Sequence, residues 1–170
     1  MKYVLSILLM LASFITPISC TVKKVQFSQD CAGYLEQAAD ANTPEIALER
    51  LNLALEYIER NNLTYGYTSV LWRTEDENIG FWYNNLKACK FELESCLNGT
   101  QLEKSNVLMK LRESLTENSN SSTLLTIPEG ISRYPNNFTW GIFGWFSVFA
   151  FIDGAVWFGF LLNDRYESYY

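Results

Sequence analysis

The sequence predicts a mainly α-helical protein: a small antiparallel bundle of about four helices, followed by one C-terminal transmembrane helix. Three observations support this. Apolar residues recur every three or four positions through the middle of the chain, capping residues stand where these stretches begin, and one late segment is almost wholly apolar. The predicted order is a signal peptide at 1–20, an extracytoplasmic bundle at 21–117, an extended linker at 118–139, the transmembrane helix at 140–162 and a short cytoplasmic tail at 163–170.

The first residues, MKYVLSILLMLASFITPISC, have the layout of a secretory signal peptide. Lys2 precedes an apolar core from Val4 to Ile15, and Pro17 opens a more polar region. A core of about a dozen residues is short for a hydrocarbon layer that is roughly 30 Å thick. We therefore expect cleavage near Ser19 or Cys20, and an uncleaved anchor is the alternative.

Cys20 raises a further alternative, which is lipidation. Ile18-Ser19-Cys20 resembles part of a bacterial lipobox, although Pro17 stands where that motif has leucine. A lipid supplies anchoring where no transmembrane helix exists, whereas this chain carries a predicted one. Simple cleavage is the favoured interpretation.

Residues 140–162 predict the anchor. These 23 residues contain one charge, Asp153, and no proline. As a helix they would be about 34 Å long, which is enough to cross a bilayer with some tilt. Together with an exported N-terminus, this predicts a single-pass protein of the cell membrane with its helical domain outside the cytoplasm.

The composition excludes several classes of function. Residues 21–139 hold 11 Lys and Arg residues against 16 Asp and Glu residues, a net charge of −5, so nucleic acid is not expected as a partner. Histidine is absent, which removes serine–histidine and cysteine–histidine catalysis. There is no CxxC pair and no Gly-rich phosphate loop. We expect no cofactor, no metal and no enzymatic activity; a carboxylate-based hydrolase is the remaining enzymatic alternative.

Caps and apolar periods define four helical stretches in the predicted domain. The first runs from Ser28 to Asp40, and the second begins at Thr43-Pro44, where a capping residue precedes a proline. Capping boxes begin the third and fourth helices, because a threonine and a glutamate three residues later can both satisfy free backbone N–H groups. These pairs are Thr74 with Glu77 and Thr100 with Glu103.

One face of each helix is apolar, and these faces are predicted to form the core. The inward-facing residues are Cys31, Leu35 and Ala38 in the first helix, Ala47, Leu51, Ala54 and Ile58 in the second, Ile79, Trp82, Leu86, Cys89, Leu93 and Cys96 in the third, and Leu108, Leu111 and Leu115 in the fourth.

Three cysteines lie on these inward faces. Cys89 and Cys96 are two helical turns apart, roughly 10 Å along the axis, which is too far for a bridge. A disulfide would therefore join Cys31 to Cys89 or to Cys96, and export permits it. The alternative is three buried thiols that act as small apolar side chains.

The connection before the third helix is rich in aromatic residues. Tyr, Trp and Arg dominate the energetics of protein interfaces, and a long connection in a small domain is often functional. Tyr65, Tyr67 and Arg73 are the predicted interaction surface. Trp72, Phe81 and Trp82 are instead expected to cover the open end of the core.

Two motifs carry a resemblance. GYTSVLWRTEDENIGFWYNNLK, together with the later PEGISRYPNN, resembles a group of uncharacterised bacterial exported proteins, and a looser likeness extends over residues 30–137. The resemblance implies an exported helical domain with a C-terminal membrane segment. It implies no activity and no catalytic residue.

Asp153 lies two residues from the middle of the predicted span. An acid there costs about 2.5–3.5 kcal/mol, which the twelve Leu, Ile, Val and Phe residues of the segment outweigh. We interpret Asp153 as an intramembrane polar contact. Small residues at Ala150, Gly154, Ala155 and Gly159 permit close helix packing, mostly away from Asp153, so the helix is expected to have two contact surfaces.

The predicted function is that of a membrane-anchored interaction or structural module. Its expected partners are the bilayer and a protein, or a second copy of the chain, bound through the transmembrane helix. The alternative is an accessory subunit of a transporter or channel, in which Asp153 participates in ion or proton movement.

Overall fold

The computed structural model describes residues 2–119 and 122–167, and it is mainly helical, as predicted. The chain divides into two compact units. Lys24–Pro135 form a helical domain, and Met1–Lys23 together with Asn136–Tyr170 form the second unit. Residues 168–170 of the predicted tail lie outside the described residues.

The helices and strands follow one another in a simple order. Short irregular turns separate some of them: a π-helical turn at Ser28–Ala32, and 3₁₀ turns at Glu75–Glu77 and Ile131–Arg133. The regular elements are α1 (Lys2–Ser13), α2 (Ile15–Phe27), α3 (Gly33–Ala39), α4 (Pro44–Arg60), α5 (Ile79–Cys96), α6 (Gln101–Leu115), β1 (Thr116–Ser119), β2 (Ser122–Leu125) and α7 (Asn137–Glu167).

The core of the domain is formed by the predicted apolar faces. Leu51 and Ile58 of α4 are fully buried, as are Ile79 and Leu93 of α5. Most of the other predicted inward residues are buried with them, while Cys89 and Leu108 are partly buried against this core. Burial of such a continuous apolar face supplies most of the stability of a helix in a protein.

Local caps begin two of the helices where the sequence predicts. Thr43 accepts a hydrogen bond from the backbone N–H of Ile46, and Pro44 occupies the first turn of α4. Thr100 and Glu103 form the complete predicted capping box of α6. These caps depend only on residues within one turn of each other in the chain. The sequence is therefore sufficient to find them.

The predicted start of α5 is wrong by about one turn. Thr74 and Glu77 hydrogen-bond to each other at 2.9 Å, yet Asn78 is the N-cap, and its side chain accepts from Phe81 N at 3.0 Å. The cause is a pairing with an earlier segment, because Ile79 N donates to Gly66 O at 2.9 Å. This pairing holds Asn78 extended, so the helix begins after it.

Residues 118–139 are not one extended linker. β1 and β2 pair in antiparallel orientation, and the chain beyond β2 returns to the core of the domain, where Ile131 is buried. Leu125 and Ile127 pack against the same core, whereas Leu124 is exposed. α7 begins at Asn137, three residues before the predicted span.

The N-terminal segment is helical from Lys2 to the start of the domain at Lys24, apart from one break. α1 and α2 are separated by a turn at Phe14. Pro17 explains this break, because proline has no backbone N–H to donate to the carbonyl of Ser13. The helical path then continues through the π-helical turn into α3, so helix precedes Ser28, where the sequence predicted a start.

Two helical segments are long and apolar enough to cross a membrane. They are Val4–Ala39 and Asn137–Asn163. Length and composition alone define this property, and a signal sequence or the core helix of a soluble protein shares it. The membrane association that the sequence predicts is supported to this extent.

Candidate interaction surfaces

α1 packs against α7 within the second unit, and a serine and a glycine lie at the centre of this contact. Ser6 Oγ donates a hydrogen bond to Gly154 O at 2.7 Å, and the Ser6 side chain is fully buried. A Cβ atom on Gly154 would lie 2.8 Å from Met10 Cγ. The glycine therefore permits an approach that no larger residue would allow without a shift of Met10.

The same contact continues along both helices. The rings of Phe14 and Phe151 meet edge to face at 5.9 Å between centroids. Ser147 Oγ donates to Thr16 Oγ1 at 2.9 Å. Residue numbers rise along α1 and α2 while the numbers of their contact residues fall along α7. The N-terminal segment and α7 are therefore antiparallel.

The hydroxyl groups of the N-terminal segment also have acceptors within their own helix. Ser13 donates to Met10 O at 2.6 Å, Ser19 to Ile15 O at 2.8 Å, and Thr21 to Pro17 O at 2.9 Å. A buried hydroxyl without a partner costs free energy, and these bonds remove that cost. The polar region after Ile15 is thus compatible with an apolar surrounding.

Asp153 lies on a different face of α7. Its side chain is exposed, as are Phe146, Phe149 and Phe160. In the described part of the chain, no hydrogen bond or ion pair of the Asp153 carboxylate is found. Of the small residues, Gly154 lies against α1 and Gly159 does not, while the Asp153 face presents its carboxylate outwards.

A second surface is the aromatic loop, residues 61–78, which joins α4 to α5. Its base is fixed, because Thr68 N donates to Glu77 O at 3.0 Å and Ile79 N donates to Gly66 O. Residues 69–74, between the two sides of this base, form the tip of the loop. Leu71 and Trp72 at the tip are 77% and 79% exposed, so this loop presents apolar side chains from a fixed frame.

The predicted interaction residues have different surroundings in the loop. Tyr65 is exposed. Tyr67 is only half exposed, because its hydroxyl accepts from Asn78 Nδ2 at 3.3 Å and the guanidinium of Arg73 lies 5.3 Å from its ring centroid. Arg73 is thus exposed but held against Tyr67.

Two residues expected in the core are instead at the surface. Trp72 is exposed, and Phe81 on the first turn of α5 is 61% exposed, while Trp82 is buried as expected. The sequence offered one usable signal for Trp72, which is its position in a connection without helical periodicity. Phe81 lies beside the buried stripe of α5 rather than on it.

Gly66 ties the loop to the last residues of the domain. Its φ of +99° lies in the left-handed region, where glycine is favoured, and a Cβ atom there would overlap the hydroxyl of Tyr134. The loop therefore packs directly against Tyr134.

The cysteines of the domain are free thiols in the structure. Cys31 is fully buried and Cys89 is half-buried, so the bridge between them stays a prediction for the oxidised protein. Cys20 is also free and lies within α2.

We expect iodoacetamide at about pH 8 to leave Cys31 unmodified in the folded protein, because the thiolate is the nucleophile. Burial, and then the charge of Asp30, raise the pKa of Cys31 from 9.0 to about 12. The stability that the neutral thiol contributes is present below pH 9.0 and is lost as the pH rises towards 12. Mass spectrometry of unfolded, unreduced protein separates the two interpretations: alkylated Cys31 contradicts the bridge, and protected Cys31 contradicts the free thiol.

A groove between α4 and α5 contains the carboxylates that a hydrolase would need. Glu56, Glu59 and Glu94 line it together with Lys87 and Lys90. The three carboxylates are exposed, whereas a general acid at neutral pH requires a desolvated carboxyl group. The groove gives the hydrolase alternative no support. Within residues 2–119 and 122–167, no cluster of three or more His, Cys, Asp or Glu residues could hold a metal ion.

Comparison with protein families, with curated proteins and with solved structures finds no match to this chain. The surfaces described above are therefore the basis on which a function can be proposed.

Proposed function

We propose that the chain is a membrane-anchored interaction module, in which α7 crosses the bilayer and presents Asp153 to a protein partner. The exposed carboxylate on an otherwise apolar helix is the observation that carries this proposal. An acid within a membrane helix is costly unless it is protonated or paired, so such residues usually serve a function. The helical domain is the part of the module outside the cytoplasm.

The anchor also includes the N-terminal helix. The sequence favours removal of residues 1–20, yet the contacts of Ser6 with Gly154 and of Phe14 with Phe151 favour its retention. Cleavage near Ser19 or Cys20 would remove all of α1. An intact mass that includes residues 1–20 supports retention, and a mass that lacks them returns the anchor to a single span.

Retention is compatible with the predicted location of the domain. An uncleaved helix with Lys2 on the cytoplasmic side and α7 returning across the bilayer would place both chain ends in the cytoplasm. The domain between them, Lys24–Pro135, would then lie outside the cytoplasm. Lipidation at Cys20 is not part of this proposal, because it requires cleavage immediately before that residue.

The two faces of α7 have separate roles in this proposal. Gly154 contacts α1 and Ser147 contacts α2, which leaves Asp153 for a different molecule. A hydrogen-bonding group from a partner helix is the chemistry that matches a carboxyl group in hydrocarbon. The partner is a membrane protein, or a second copy of this chain.

Asp153→Asn is expected to retain most of the association with the partner, because an amide both donates and accepts hydrogen bonds. Asp153→Leu is expected to weaken it, since leucine inserts readily but offers no polar contact. The measurement is co-purification of the partner in mild detergent from cells that express each variant at equal levels. Phe149→Leu, on the same exposed face, is the matched control and should leave recovery unchanged.

Two outcomes would contradict this role of Asp153. If Asp153→Leu recovers as much partner as the unchanged chain, the carboxyl group makes no contact that matters for association. If both substitutions keep the complex but abolish the cellular phenotype, proton or ion handling in a transporter or channel replaces the contact role, because asparagine cannot titrate.

A further inference from the structure

The tip of the aromatic loop exposes consecutive apolar side chains that serve no core. Val70 is 47% exposed, and Leu71 and Trp72 are more exposed still. The base of the loop is fixed by backbone hydrogen bonds between residues 66–68 and 77–79, so this exposure belongs to an ordered turn. Neighbouring large apolar side chains at a protein surface are typical of an interaction site.

The loop lies at the end of the domain from which the chain leaves for the anchor helices. The domain begins at Lys24, and Phe27 packs edge to face on Tyr57 in the last turn of α4, just before the loop. At the other end of the domain, Tyr134 packs on Gly66 of the loop. The two ends of the domain, from which the chain continues to the anchor helices, therefore both lie beside the loop.

The connection after Tyr134 is short. Only two residues, Pro135 and Asn136, separate Tyr134 from Asn137, the first residue of α7. Three virtual bonds of 3.8 Å span at most about 11 Å. The residue that packs on the base of the loop, Tyr134, is thus joined to the first residue of α7 by a connection of at most this length.

We propose that Val70, Leu71 and Trp72 insert into the interfacial layer of the bilayer that holds the anchor helices. This inference rests on the proposed membrane anchor. Tryptophan beside aliphatic residues suits the boundary between headgroups and acyl chains, where an apolar body can be buried while the indole N–H remains hydrated. The insertion gives the domain a contact with the membrane in addition to its covalent connections.

The charges around the tip define the kind of lipid surface. Arg73 follows Trp72, but after Thr74 come Glu75, Asp76 and Glu77, which form an acidic turn. A net negative rim does not attract anionic headgroups. The contact is therefore apolar, and we expect it to form on a zwitterionic bilayer.

A protein partner would use the same residue types, since Trp, Tyr and Arg are also frequent at protein interfaces. Two features favour lipid. The exposed apolar residues are three consecutive side chains, and the loop that carries them packs through Gly66 on Tyr134, which only two residues separate from α7.

The test places the photoreactive residue p-benzoylphenylalanine at single positions of the full chain, reconstituted in phosphatidylcholine vesicles. Position 72 is the probe. Position 91 is the matched control, because Phe91 is a 71% exposed ring twelve residues beyond Ile79, about 18 Å further along α5. Position 152 is the anchor control, because Ile152 is exposed in the apolar part of α7. Lipid adducts are measured by mass spectrometry after irradiation.

We expect adducts with phosphatidylcholine at positions 72 and 152, several-fold above the yield at position 91. Adducts at 152 combined with a yield at 72 no higher than at 91 would overturn the loop insertion and leave the anchor intact. A protein adduct in place of lipid at 72 would also overturn it. Absence of lipid adducts at 152 would overturn the membrane anchor itself, and the insertion with it. Adducts at 72 that appear only when anionic lipid is added would contradict the apolar contact.

Discussion

Leu51→Ala is expected to lower the free energy of unfolding of the helical domain by about 2–5 kcal/mol. Leu51 is fully buried in α4, between Ala47 and Ala54 on the same face. Because Ala47 and Ala54 are small, the side chain of Leu51 fills the space beside them. Truncation of Leu51 to alanine therefore leaves a cavity. A domain of this size is typically stable by only about 5–15 kcal/mol, so the loss is a large fraction of the total.

The measurement is urea unfolding of the full chain in mild detergent, followed by circular dichroism. Leu102→Ala on α6 is the matched control, because Leu102 is 71% exposed, and it should change the free energy of unfolding by less than about 0.5 kcal/mol. Equal effects of the two substitutions would show that the core described here does not support the domain.

The helices of the domain could be predicted because their signals are local. Thr43, Thr100 and Glu103 act within one turn of their helices, and the apolar period of α5 needs no knowledge of its neighbours. The start of α5 was misplaced for the opposite reason. It depends on the pairing of Ile79 with Gly66, and residues 79 and 66 are brought together only by the fold.

Burial of aromatic residues was harder to predict than burial of aliphatic ones. Trp82 continues the periodic stripe of α5 and is buried, whereas Trp72 follows no period and is exposed. Composition alone treats the two residues alike. The most exposed apolar side chains of the loop, Leu71 and Trp72, therefore lie four and five residues after Tyr67.

The N-terminal segment makes contacts that depend on a distant part of the chain. Taken alone, the segment that holds Ser6 and Thr16 has the layout of a signal peptide. Beside α7, the same residues form or permit close contacts, because Ser6 bonds to Gly154 and Thr16 bonds to Ser147. Their meaning depends on a segment more than a hundred residues away.

Gly154→Leu is expected to abolish most of the pairing between α1 and α7. A Cβ atom at this position meets Met10 Cγ at 2.8 Å and the backbone oxygen of Ser6 at 3.4 Å, and leucine adds three further carbon atoms. The helices must separate, and the hydrogen bond from Ser6 to the carbonyl of residue 154 is lost with the packing. Such a bond contributes about 1–2 kcal/mol in model membrane helices, so its loss alone lowers the equilibrium constant for pairing roughly tenfold.

The pairing is measured in isolated membranes by cross-linking with a flexible bis-maleimide, with Phe14→Cys and Phe151→Cys introduced together in a Cys20→Ser chain. The ring centroids of these two phenylalanines are 5.9 Å apart, so the linker should join the two cysteines efficiently when Gly154 is unchanged. Gly159→Leu is the matched control, because a Cβ atom at Gly159 meets nothing within 4 Å, and cross-linking should persist. If Gly154→Leu cross-links as well as Gly159→Leu, close approach at Gly154 is not required for pairing. If even the chain with both glycines intact fails to cross-link, α1 is removed or lies elsewhere, and α7 is the only one of the two segments that anchors the protein.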